Sequence, residues 1–174
     1  WPMVPPVCQS VRSSVRGWPT FSTAIWRWCP KAPPANCISA AQGWRSRVFP
    51  GCHQRLPYLA GDDDTRLADL HAAFADPEVD AIICLRGGYG TPRLLDSVDF
   101  ELLAANPKPF VGYSDITSLQ LALFARTGLV TFSGPMVAVE MGKGILPFTE
   151  KHFWAMVGKS TRKLLKAGAG EYEP

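Results

Sequence analysis

Hydrophobic and polar positions change their pattern near residue 58. From Tyr58 onward, short apolar runs alternate with stretches whose apolar residues recur every three or four positions, the periods of buried strands and one-sided helices. Asp62-Asp63-Asp64 puts negative charge at a helix start and Leu67, Leu70 and Phe74 follow at helical spacing, which predicts a helix from about Asp63 to Ala75. Asp76-Pro77 ends it, and Val79 to Leu85 supplies the first strand. Arg93-Leu94-Leu95 reads as one short helical turn, and Asp99 caps a brief helix through Ala105 that Asn106-Pro107 stops. Pro109 to Gly112 is the next strand, followed by a helix from about Asp115 or Ile116 to Arg126, with Leu119 and Leu123 on one face and Gly128 as its stop. Leu129 to Phe132 is a third strand leading into Ser133-Gly134-Pro135, and a last helix is predicted from Thr149 to Val157.

Apolar strands alternating with helices predict an α/β fold, a parallel sheet flanked by helices on both faces. Ligands of such sheets bind at the carboxyl ends of strands, and two tight turns fall there. Arg86-Gly87-Gly88-Tyr89-Gly90 follows the Ala81–Leu85 run, and its glycines allow close backbone approach to a ligand. Tyr113-Ser114-Asp115 follows Phe110-Val111-Gly112 and places a hydroxyl where a strand gives way to a helix, with the Asp115 N–H at the helix N-terminus. That arrangement suits a nucleophile at Ser114 beside an oxyanion hole. The Asp115 side chain is expected to cap the following helix, leaving its N–H for function. Arg86 is suited either to a substrate carboxylate or to an acid of the fold.

Composition separates the first third of the chain from the rest. Residues 1–61 contain no acidic residue, yet they hold four of the five cysteines (Cys8, Cys29, Cys37, Cys52) and five of the six tryptophans; all fifteen acids follow, so the net charge of +3 belongs to no single surface. The seven basic residues before Asp62 are scattered and interrupted by prolines, which argues against a nucleic-acid arm. No apolar stretch has the length of a signal-peptide core or of a ~20-residue membrane span. The early cysteines form no Cys-x-x-Cys pair, so two disulfides, or a metal cluster with His53, are weakly supported; no metal or cofactor is expected. Residues 1–57 therefore read as an atypical, non-native or disordered segment, such as a shifted frame or misplaced gene start would produce. Residues 159–174 read as a linker toward a missing C-terminal domain.

The stretch from Tyr58 to Trp154 resembles the LD-carboxypeptidase family of serine peptidases, which includes murein tetrapeptide carboxypeptidases and microcin-immunity peptidases. The residues that carry it are Tyr58-Leu59-Ala60-Gly61, Asp69-Leu70-His71-Ala72-Ala73-Phe74, Arg86-Gly87-Gly88-Tyr89-Gly90, Pro107 through Thr117, and Gly134-Pro135-Met136. The resemblance implies a glutamine-amidotransferase-like (flavodoxin-like) N-terminal domain over residues 58–158, incomplete here. It further implies Ser114 as nucleophile, an oxyanion hole from the N–H groups of Asp115 and Gly88, and release of the terminal D-alanine from cytoplasmic murein tetrapeptide by cleavage of an L-to-D amide. Full-length relatives are expected to be homodimers, without nucleic-acid or membrane partners. Three departures accompany it: residues 1–57 do not match the family start, Ser133 stands where the family often has His, and the family's catalytic His and Glu belong to a C-terminal domain beyond this chain. His71 and His152 fall inside helices as surface or packing residues. The alternatives are a non-catalytic peptidoglycan-peptide-binding fragment and a microcin-immunity-type peptidase; a dinucleotide site is disfavoured because Gly87-Gly88-Tyr89-Gly90 lacks the Gly-x-Gly-x-x-Gly spacing.

Overall fold

The computed structural model describes residues 22–28 and 44–157, with side chains described from residue 48. Five strands form one sheet: β1 (Ser22–Trp28), β2 (Trp44–Val48), β3 (Ala81–Arg86), β4 (Phe110–Gly112) and β5 (Phe132–Ser133), in the order β2-β1-β3-β4-β5. β3, β4 and β5 are mutually parallel, with Ile83 opposite Val111 and Val111 opposite Phe132. β1 runs antiparallel to both β2 and β3, so the sheet is mixed at that side. Two strands thus come from residues 1–57, where the sequence predicts none. Residues 49–57 depart from the expected disorder as well: Pro50–His53 is a 3-10 turn, and Phe49 and Cys52 are buried in the core beside Leu70 and Phe74. Residues 1–21 and 29–43, and the 159–174 linker, lie outside the described residues.

The alternation of β3 divides the core. Ile82 and Cys84 face one cluster with Leu70 and Phe74 of α1 (Asp63–Ala75), Leu103 of α2 (Phe100–Ala105), and Ile116, Leu119 and Leu123 of α3 (Ile116–Thr127). Ala81, Ile83 and Leu85 face a second cluster with Val111, Met141, and Phe153, Trp154 and Val157 of α4 (Pro147–Val157). The parallel strands are therefore covered on both faces, and this is why β3 is apolar without interruption.

Helix boundaries follow local chemistry. The Asp62 carboxylate accepts from Thr65 N at 2.8 Å to open α1, and Asp99 accepts from Leu102 N at 2.9 Å to open α2. Gly128 ends α3 in the left-handed region, φ 71°, its N–H donating to Phe124 O at 2.9 Å. The α1 C-terminus is closed from a distance by the buried Lys108, whose Nζ donates to Ala73 O and Asp76 O. Burial holds that ammonium below its ordinary range, against the charges of Asp76 and Asp80. Arg93-Leu94-Leu95 lies in a 3-10 turn, Pro92–Ser97.

The third parallel strand is shorter and later than expected, Phe132–Ser133 in place of 129–132. Buried Gln120 of α3 donates through Nε2 to Gly112 O and Phe132 O, at 3.2 and 2.9 Å, doing with a side chain what a longer ladder would do with backbone. α4 likewise begins at Pro147, two residues before the expected start, because proline suits a first helical turn.

Where β4 meets α3 the packing leaves no room for a side chain. A methyl at Gly112 would lie 2.7 Å from Ile116 Cγ2 and 3.3 Å from Cys84 Sγ. Gly112→Ala is expected to destabilise the chain by about 1–3 kcal/mol through this overpacking. Urea unfolding measures it as a lower midpoint at unchanged slope, and a midpoint equal to the parent's would show that α3 moves aside freely.

Candidate active site

Because β3, β4 and β5 are parallel, the loops that follow them emerge at one edge. They are the glycine turn 87–91, the Ser114 junction, and the segment from Gly134 to Glu140. The third loop returns toward the first: Val137 N and Ala138 N donate to the β3 carbonyls of Cys84 and Leu85 at 3.3 and 2.8 Å.

Ser114 has φ 65°, the only positive value at a non-glycine among the described residues. A serine there carries strain of about 1–2 kcal/mol, since Cβ crowds the backbone in the left-handed region. The kink turns the chain from β4 into α3, leaving the Ser114 side chain exposed, its Oγ bonded to no described residue. Asp115 then leads into α3, whose Thr117 and Ser118 N–H groups donate to Ser114 O and Asp115 O at 3.1 Å, so the Asp115 and Ile116 N–H groups stand at the positive end of the helix. Ser114 and Asp115 lie between the end of β4 and the start of α3, where the sequence puts them.

The Asp115 side chain does not cap α3, contrary to expectation. With backbone φ −66° and ψ −21°, Asp115 is already helical rather than in the extended conformation of a capping residue. Its carboxylate turns to the glycine turn instead. Oδ1 accepts from Gly88 N at 2.6 Å, and Oδ2 accepts from Gly90 N at 3.2 Å, Thr91 N at 3.1 Å and Thr91 Oγ1 at 2.8 Å. The Gly88 N–H expected to serve an oxyanion is therefore committed to this carboxylate. Gly87 is the member of the turn that lies against the junction: a methyl there would meet Ser114 Cβ at 2.9 Å and Asp115 Oδ1 at 3.0 Å. Arg86 ends β3 half-buried, and Tyr89 projects outward, 87% exposed.

The third loop has its own tether, which sequence reading missed. Tyr113 OH donates to Glu140 Oε1 at 2.6 Å, and Met136 N donates to Glu140 Oε2 at 2.9 Å. The hydrogen bond to Glu140, with burial and the Glu140 charge adding to it, raises the Tyr113 phenol above its ordinary pKa. Cys84, beneath Gly112, is held far above the usual thiol range by burial, with Asp115 and Cys52 adding, so it packs as a neutral side chain.

His53 ends the 3-10 turn Pro50–His53 and is exposed, and the other two histidines have engagements of their own. His71 Nε2 accepts from Asp99 N at 3.0 Å, and exposed His152 lies with its ring 4.3 Å from that of Phe148. Among the described residues no group of three or more His, Cys, Asp or Glu could hold a metal ion, and no helix is long and apolar enough to cross a membrane.

The stretch that holds both turns is similar to known proteins. The sequence profile of the LD-carboxypeptidase N-terminal domain matches residues 31–134, more than half of the chain. The chain belongs to the LD-carboxypeptidase family. The match begins inside the segment that sequence reading set apart, as β2 does.

A probable murein peptide carboxypeptidase of Bacillus subtilis is 55% identical over 85 residues, which are 49% of this chain and 27% of that protein. The crystal structure of a muramoyltetrapeptide carboxypeptidase from Oxalobacter formigenes superposes with a TM-score of 0.57 at 40% identity, covering 62% of this chain and 38% of that one. The microcin C7 self-immunity protein MccF, solved with adenosine monophosphate, superposes at 0.61 with 27% identity, covering 64% and 34%. The chain thus spans about a third of the length of these LD-carboxypeptidase relatives.

If the elbow holds Ser114 in a strained conformation, Ser114→Gly stabilises the chain relative to Ser114→Ala by about 1 kcal/mol, because glycine alone enters the left-handed region without penalty. Thermal denaturation of the two variants measures the difference, and an alanine variant equal to or above the glycine variant contradicts the strain.

Proposed function

We propose that this chain carries the nucleophile domain of a serine-type LD-carboxypeptidase that hydrolyses the L-to-D amide linking meso-diaminopimelate to terminal D-alanine in cytoplasmic murein tetrapeptide. The observation that carries the reading is the left-handed Ser114, exposed at the head of α3 and pinned beside the glycine turn, in a chain of this family. The names of the Bacillus subtilis and Oxalobacter formigenes relatives support a murein peptide as substrate.

In this reading Ser114 Oγ attacks the carbonyl carbon of the scissile amide. The carbonyl oxygen becomes an oxyanion, stabilised by the Asp115 N–H and the positive end of α3. The C–N bond then breaks, D-alanine leaves as the amine after gaining a proton, and water hydrolyses the ester on Ser114 to release the tripeptide. Gly87, lacking a side chain, lets the turn pack directly against Ser114 and so helps to hold the attacking hydroxyl in place. Arg86, one residue before the turn, is assigned to the carboxylate of the substrate's terminal residue, which a guanidinium can hold in two parallel hydrogen bonds.

His71 and His152 are engaged elsewhere, and this reading takes its general base from outside the described residues. The family resemblance assigns it to a C-terminal His with its Glu. A serine without a base is an ordinary alcohol, and the 174-residue chain alone is accordingly proposed to be inactive.

The test joins this chain to the C-terminal remainder of the Bacillus subtilis relative. D-alanine release from murein tetrapeptide is expected from the joined protein and from neither part alone. Ser114→Ala in the joined protein should lower kcat by about 10⁴- to 10⁶-fold without changing its thermal unfolding. Residual turnover within tenfold of the parent rules out Ser114 as the nucleophile.

A further inference from the structure

Four hydrogen bonds to one carboxylate make Asp115 more than the residue after the proposed nucleophile. The donors come from residues 24 to 27 positions earlier in the chain, and three of the four are backbone N–H groups of a turn with no regular secondary structure of its own. Thr91 contributes both its N–H and its hydroxyl, and it is fully buried where it does so. Gly90 is fixed from its other side, since a methyl there would meet Leu59 Cδ2 at 2.6 Å and an Arg66 terminal nitrogen at 2.7 Å.

We infer that Asp115 is a positioning residue whose carboxylate, with the Thr91 hydroxyl, clamps the glycine turn against the Ser114 elbow and thereby sets the geometry of the reacting site. The inference rests on the reading of Ser114 as nucleophile for its catalytic consequence, but the clamp is a property of the chain itself.

Two oxygens, each with its own donors, are what the clamp requires. An N-terminal helix cap needs one acceptor, and asparagine serves there as well as aspartate. Asparagine in the clamp keeps an acceptor for Gly88 and presents an NH₂ to three donors. Asp115→Asn therefore separates the two roles. The oxyanion donor of the reading is the Asp115 backbone N–H, which every side-chain variant retains. A loss of turnover in Asp115→Asn consequently reports on the position of the turn and elbow.

Amide hydrogen exchange on the 174-residue chain tests the clamp directly. In Asp115→Asn the amides of Gly90 and Thr91 are expected to lose about tenfold or more of their protection, while Gly88 keeps most of its own. Thr91→Ser should match the parent, and Thr91→Val, which keeps the volume but loses the hydroxyl, should exchange faster at the turn.

In the protein joined to the C-terminal remainder, Asp115→Asn should lower kcat by about 100-fold with KM within about threefold, the signature of misplaced reacting groups rather than lost binding. Parent-like exchange in Asp115→Asn overturns the clamp. Lost protection with parental kcat overturns its positioning role. If the joined parent shows no turnover that Ser114→Ala removes, the nucleophile reading fails while the exchange measurement still decides the clamp.

Discussion

The Asp115 carboxylate is the contact on which the rest of this site depends. Glycine turns have abundant N–H groups and little else, and an N–H that is neither solvated nor bonded is costly. Asp115 resolves this for Gly88, Gly90 and Thr91 at once, its two oxygens accepting from three N–H groups and one hydroxyl. In doing so it joins the ends of two neighbouring parallel strands into one rigid arrangement. The Gly88 N–H is used up in the joining, and in the proposed reaction the head of α3 remains to meet a developing negative charge.

Strain and close packing act together at that place. Ser114 sits in a conformation that its Cβ disfavours, so the surroundings must hold it there. Below it, Gly112 lets Ile116 press onto the end of β4, and beside it Gly87 lets the turn press onto Ser114 itself. Each glycine removes a side chain where two backbones converge. The elbow is thus determined by its neighbours on both sides, and its serine is lifted clear of the sheet.

What was legible in the sequence was local. Asp62 and Asp99 announce the starts of α1 and α2 because an N-cap acts over three residues, and Gly128 announces the end of α3 because a left-handed stop needs no partner elsewhere. The apolar run of β3 declares burial on both faces. The relations that were not legible join residues far apart. β1 holds Thr23, Ile25, Trp26 and Trp28, residues that favour strands, but it sits in an acid-free, proline-interrupted stretch, and its pairing with Ile82 and Ile83 is what reveals it. The short β5 depends on Gln120 reaching Gly112 and Phe132, and the third loop depends on Glu140 reaching back to Tyr113. From sequence Asp115 reads as a cap, because aspartate at a helix start usually is one. A signal that it is not lay in its neighbour: a serine forced into the left-handed region leaves the next residue already helical, with its side chain directed away from its own first turn.

The same geometry divides the chemistry. Backbone groups and the α3 dipole need no proton transfer to act, and a fold can fix them in advance at the end of a sheet. A base must reach the hydroxyl it deprotonates, and among the described residues Ser114 is exposed and Tyr89 stands almost wholly in solvent. In water such dipoles are screened, and their effect on a barrier grows only when the site is covered. An elbow built this way therefore supplies shape and field from below, and in the proposed enzyme its full strength depends on whatever closes over it bringing both the base and the exclusion of water. The two requirements point to one element, because a group close enough to take the Ser114 proton also displaces the solvent above it.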